Sequence, residues 1–172
     1  MPTLTVWHYD TPLGAEAGEV RLKALQESGA LEVKDAITVS WMPGAHQPRV
    51  GHFRHATAGA AGKGSMLGAL VGMLVLAPVA GAAAGAGVAT IAQRLRGTGI
   101  DQDFLEGVTS RLTPGTSALL VLSSDADPDQ VRAAIERGVA RGDVVLLHAE
   151  LADDAPSAIR DLVRELSAPD PD

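Results

Sequence analysis

A run of thirty residues without a charge, Gly64 to Gln93 (GSMLGALVGMLVLAPVAGAAAGAGVATIAQ), lies mid-chain between Lys63 and the pair Arg94 and Arg96. So much apolar surface restricts the folds open to this chain, because it must be covered by lipid, by the rest of the chain or by other copies. As one helix it would reach about 45 Å, well beyond the roughly 30 Å hydrocarbon core of a bilayer. Pro78 divides it, and each arm then reaches only about 20 Å, too short to cross. The spacing therefore predicts a two-armed helical hairpin. Gly64, Gly68 and Gly72 form a GxxxGxxxG stripe on the first arm, and Ala77, Gly81, Gly85 and Ala89 repeat small residues at the same period on the second. Such stripes let helix backbones approach closely. The first arm carries the large side chains, Met66 to Leu76, whereas the second is mostly Ala and Gly and suits contact with protein more than lipid.

With 172 residues, the chain has room for one ordinary domain plus such an insert. A formal charge of -7 argues against nucleic acid as a partner, since phosphate contacts need clustered Lys and Arg. With no cysteine, disulfides, thiolate metal sites and Cys nucleophiles are excluded. The opening residues MPTLTVWHYDTP lack a basic segment followed by an apolar one, so no secretory signal is expected. The expected location is the cytoplasmic side of the inner membrane, or the cytoplasm as a large oligomer.

Outside the apolar run the chain reads as two similar halves. Leu4 to Tyr9 alternates like a half-buried strand and ends at the turn Asp10, Thr11, Pro12. Gly14 to Ser28 follows a helical spacing through Ala17, Val20, Leu22, Ala24 and Leu25, with Gly29 as a stop. Ala36 to Met42 reads as a second strand before Pro43 and Gly44, and Arg49 to His55 as an extra edge piece. After the insert, Asp101 to Leu112 reads as a helix with Phe104, Leu105, Val108 and Leu112 on one face, closed by Pro114 and Gly115. Ser117 to Leu122 is a continuous apolar run typical of a central strand. Asp127 is a natural N-cap with Pro128 at the first helical position and Gln130 as capping partner, opening a helix to Arg137 that stops at Gly138. Asp143 to Ala149 then gives a strand and Asp153 to Leu166 a last amphipathic helix before the PDPD tail.

Two β-α-β units favour an α+β fold, a ferredoxin-like βαβ...βαβ sandwich of four strands with helices on one face and an inserted apolar Gly/Ala-rich helical hairpin. The division is 1–63 for the first half of the domain, 64–93 for the hairpin, 94–168 for the second half and 169–172 for a flexible tail. In this topology the apolar run lies in the connection between the second and third strands, so both its ends leave from one side of the sheet. A single bilayer crossing would strand the two half-sheets on opposite sides with unpaired edges. The hairpin is instead expected to dip into a bilayer and return, or to pack against its own kind in the core of a soluble homo-oligomer. Lys63, Arg94 and Arg96, with Arg49 and Arg54, form a basic strip suited to anionic headgroups.

The strands VWHYDTP and ITVSW, the Gly/Ala hairpin with its central Pro, and above all the block GIDQDFLEGVTSRLTPGTSALLVL resemble a bacterial family of predicted membrane proteins, the domain of unknown function numbered twelve sixty-nine. The likeness covers nearly the whole chain, and its most specific part is Gly99 to Leu119. The resemblance implies membrane association; the family brings neither an established activity nor catalytic residues to carry over.

Constellations with chemical overtones have simpler explanations. Asp125, Asp127, Asp129 and Glu136 echo a calcium loop, but Gln130 sits where Gly is required and helix capping accounts for the pattern. Ala58 to Ser65 (AGAAGKGS) resembles a phosphate loop with the wrong spacing and no Ser or Thr after Lys63. His8, His46, His52 and His55 read as strand and edge histidines, and Trp7, Tyr9 and Trp41 as core. The sequence thus predicts no enzyme, no metal and no cofactor. It predicts a membrane-associated, self-assembling protein whose principal partner is itself, with the lipid bilayer as a further one. The alternatives are a soluble homo-oligomer with hairpins in its core and a ferredoxin-like small-ligand sensor.

Overall fold

Nearly continuous burial along the three inner strands gives the sheet two apolar faces, and the helices that follow cover both. A computed structural model describes residues 1–53, 66–76 and 84–167. The elements are β1 (Thr3–Tyr9), α1 (Gly14–Glu27), β2 (Glu32–Ser40), β3 (Arg49–His52), α2 (Met66–Leu76), α3 (Ala84–Arg94), α4 (Gln102–Arg111), β4 (Ser117–Ser124), α5 (Pro128–Arg141), β5 (Val144–Glu150) and α6 (Ala155–Ser167). The protein is a mixed α+β structure around a five-stranded sheet of order β3-β2-β4-β1-β5, every neighbouring pair antiparallel.

The register follows from burial. β4, fully buried except at its last residue, lies between β1 and β2 with Leu120 opposite Val6 and Ile37. Successive side chains on a strand face opposite sides, and two separate cores result. Trp7, Tyr9, Val33, Ala36, Leu119 and Val121 meet Leu22 and Leu25 of α1 and Ile135 of α5. Leu4, Val6, Ile37, Val39, Leu120 and Leu122 meet α2, α3, α4 and α6. A four-stranded sheet with helices on one face is therefore corrected to five strands covered on both, because the second face is as apolar as the first and needs its own cover.

Local signals fixed most ends, and tertiary packing displaced the others. Asp127 caps α5, accepting from the backbone N–H of Asp129 and Gln130 at 3.0 and 3.2 Å, while Gln130 Nε2 donates to its other oxygen at 2.8 Å. α5 does not stop at Gly138 but runs to Arg141, ending at Gly142 in the left-handed conformation with φ 77°. Gly138 is an interior glycine set against β5: a Cβ there would lie 2.9 Å from Val144 Cγ2. On α1 the buried stripe is Ala15, Gly18, Leu22 and Leu25, whereas Ala17, Val20 and Ala24 face solvent. Tyr9 explains the shift, because its ring and hydroxyl occupy the space that side chains at Gly14 and Gly18 would fill. β2 begins at Glu32, four residues before the expected start, since a register shift between Val33 and Asp35 absorbs Lys34 and keeps both neighbours buried.

The first apolar arm does not project as a finger. α2 turns Leu67, Leu70, Val71, Leu74 and Val75 onto the second face of the sheet, where all five are buried. Each such side chain gains about 2 kcal/mol on leaving water. Withdrawing α2 into lipid would keep that gain for the helix but expose Ile37, Val39 and Leu120 beneath it, so the sheet is the better partner. Among the described residues no helix is long and apolar enough to cross a membrane. Pro78 and the expected turn of the hairpin lie outside the described residues, as do the phosphate-loop-like segment and the tail.

Candidate functional site

α2 is anchored by a residue that sequence spacing did not single out. Asp35 on β2 is buried, and its Oδ2 accepts the backbone N–H of Leu67 at 3.0 Å. This N–H belongs to the first turn of α2, where no intrahelical acceptor exists, so a strand carboxylate caps a helix across the layer boundary. The only signal in the sequence is a charge inside an otherwise apolar strand, EVKDAITVS.

Above that anchor α2 has no charged or hydrogen-bonding side chain on any face. The side turned from the sheet carries Gly68, Ala69 and Gly72, all half-buried, while Met66 and Met73 pack against the margin of the core. A Cβ added at Gly72 would meet nothing within 4 Å among the described residues. α6 and α3 flank the helix. The predicted stripes therefore divide: Gly68 and Gly72 sit on the outer flank of α2, and Ala89 is half-buried on α3. Gly85 falls within α3. Gly64, Ala77, Pro78, Gly81 and Lys63 lie outside the described residues.

The two arginines expected to meet headgroups have different settings. Arg94 forms a two-pronged ion pair with Glu165 of α6, Nη1 lying 2.8 Å from each carboxylate oxygen. Arg96 has no ion-pair partner among the described residues and borders an open cleft of about 600 Å³. Ala89, Ala92 and Gln93 of α3 form one wall, and Asp101 and Gln102 at the start of α4 form another. Between them the turn at 95–100 is held rigidly. Thr98 Oγ1 donates to Leu95 O at 2.6 Å, and Ala152 N donates to Thr98 O at 2.9 Å. Gly99, with φ 93°, presses its backbone against Glu150 O where any Cβ would overlap. Asp101 then caps α4 through Phe104 N at 2.8 Å. The cleft offers amide hydrogen bonds, the Arg96 guanidinium and the Asp101 carboxylate over an Ala and Ile floor.

The remaining polar candidates are structural. His8 is buried on β1, its Nε2 2.8 Å from Arg111 O and its Nδ1 3.9 Å from Asp10 Oδ1. Ser117 Oγ donates to Thr11 O at 2.6 Å and accepts from Ala15 N at 3.0 Å, closing the turn before α1. Trp7 and Tyr9 are core, and the half-buried Trp41 donates from Nε1 to Ala45 O at 2.9 Å. Among the described residues no three His, Asp or Glu side chains converge as metal ligands.

Comparison with known families returns one match, to the family described as protein of unknown function (DUF1269), over residues 61–164. That span takes in α2 to α5, β4, β5 and most of α6, and contains the Gly99 to Leu119 block. β1, α1, β2 and β3 precede it, so the match is narrower than the near-complete likeness expected from sequence. No curated protein and no solved structure matches the chain.

Proposed function

The chain belongs to the DUF1269 family, whose description assigns no activity, and from its surfaces we propose that it is a non-enzymatic, self-associating protein in which the outer side of α2 packs against a second copy. One observation carries this reading: α2 is apolar on every face, yet among the described residues nothing lies over Gly72 on the side turned from the sheet. A helix apolar all round belongs in an interior, and Gly68 and Gly72 allow a second helix close to its axis. Setting the edge strand β3 aside, the antiparallel order β2-β4-β1-β5 with α1 and α5 on one face supports the ferredoxin-like reading of the scaffold.

Gly72→Glu tests the contact cleanly, because the side chain enters open space and Glu is the better helix former. The wild type is expected to have a light-scattering mass above 17.7 kDa, with the variant lower and equally helical. An unchanged mass rejects the contact. Flotation on neutral and anionic vesicles separates protein from lipid as the cover. The protein is expected to stay down in both, and flotation on anionic vesicles alone would hand the α2 face and the basic strip to a membrane surface.

The cleft beside Arg96 supports a second reading, a small-ligand sensor for compact carboxylates, with the uncommitted guanidinium as anchor. A thermal-shift series with acetate, succinate and citrate should raise the melting temperature of the wild type but not of Arg96→Ala. Equal shifts in both proteins, or none, would remove it.

A further inference from the structure

α1 carries two apolar stripes, and only one of them meets the core. Ala15, Gly18, Leu22 and Leu25 are buried, whereas Leu13, Ala17, Val20 and Ala24 are all exposed. At about 100° per residue the two stripes lie on opposite sides of the helix. Val20 is 70% exposed and Leu13 58%, the highest of any large apolar side chain after Met1 among the described residues. Leu13, just ahead of the helix, keeps a right-handed helical conformation (φ -109°, ψ 0°) and so prolongs the outer stripe. Exposed apolar residues scattered singly are ordinary. Four of them spaced four, three and four residues apart form the repeat that seats one helix on another. Valine is also a poorer helix former than the charged residues around it, so local propensity does not account for Val20.

We infer that the outer side of α1 docks antiparallel on α1 of a second copy. Size and charge fix both the partner and the direction. Setting Leu13 opposite Ala24 and Ala17 opposite Val20 of the second copy gives four layers, each with one large and one small side chain. A parallel pair would stack leucine on leucine and alanine on alanine, leaving gaps at the alanines. The antiparallel register also places Glu16 against Lys23 of the second copy, and the two-fold repeats the pair in reverse. Both residues are exposed, on the same flank of the stripe. Within its own chain Lys23 reaches only the exposed Glu27, at 3.8 Å. On the other flank Arg21 lies beside Tyr9 and comes opposite Gly14 of the second copy, so no like charges meet there. A face that completes itself in both packing and charge commits its occupant to a second copy. α1 and α2 cover opposite faces of the sheet. This contact is therefore separate from the one at α2, and the two together build an assembly larger than a dimer.

Light scattering on the full chain separates the two contacts. Gly72→Glu, which removes the α2 contact, should leave a dimer at twice 17.7 kDa, and adding Val20→Lys should bring it to 17.7 kDa. Position 20 faces water in the single chain and lysine is the better helix former, so the fold does not depend on valine there. A Gly72→Glu protein already at 17.7 kDa, or a double variant with undiminished mass, overturns the α1 contact. If Gly72→Glu leaves the wild-type mass unchanged and Val20→Lys alone gives 17.7 kDa, the α1 contact stands and the α2 contact falls. Charge reversal then tests the register. In the Gly72→Glu protein, Glu16→Lys should weaken the dimer about tenfold by setting like charges together, and adding Lys23→Glu should restore it. Loss without rescue, or no loss at all, would overturn the register and the inference with it.

Discussion

Single residues were legible where their partners are local and hidden where they are distant. Asp127 read as a cap because it bonds N–H groups two and three residues on. Asp35 bonds an N–H 32 residues away, so no spacing rule finds it. Replacing it with alanine leaves a buried donor unpaired and should cost about 1–3 kcal/mol, read as a lower urea midpoint with unchanged slope. A midpoint equal to the wild type would mean that α2 is held by apolar packing alone. Tyr9 gives a pH dependence. Burial pushes its phenol above the ordinary 10.0, with Arg21 beside it opposing. An acid that loses its proton later in the folded state is stabilising below the unfolded value, and that stability drains away as pH rises from there through the folded value. Tyr9 is the only tyrosine, so tyrosinate absorbance should titrate above 10.0 in the folded protein and fall to the ordinary value in denaturant; Tyr9→Phe should flatten the alkaline loss of stability.

At the scale of elements, type was readable almost everywhere and the buried face was not. Periodicity placed α1, α4, α5 and α6, yet α1 buries Gly18 where Val20 looked the better core residue, because Tyr9 brings helix and sheet close. Gly138 misled in the same way, a glycine present for proximity and read as a stop. The two effects oppose each other in a test. Helix propensity alone says Gly138→Ala stabilises α5 by about 1 kcal/mol, whereas a Cβ 2.9 Å from Val144 Cγ2 forces helix and strand apart. A lower melting temperature is expected, with a net loss of about 1 kcal/mol; a higher one would mean that α5 slides freely over β5. One wall of the cleft, Asp101 and Gln102, was legible only as sequence, in the Gly99 to Leu119 block. Its meeting with the α3 wall depends on Gly99 lying against Glu150, which no local rule anticipates.

For the whole molecule, the apolar run changes meaning. A length of thirty uncharged residues suggested an environment outside the chain, but the first arm is spent on the sheet's second face, which the four-strand reading had left bare. What remains unspent is its outer side, where Gly72 meets nothing among the described residues. That surface, and the assembly proposed to cover it, is the centre of the account. Because the chain lacks cysteine, Gly72→Cys creates a single thiol at that spot, and its labelling by a small maleimide can be followed as the protein is diluted. The account predicts slow labelling at concentrations where light scattering reports a multiple of 17.7 kDa, and fast labelling once the mass falls. A thiol that reacts equally fast at every concentration would contradict it.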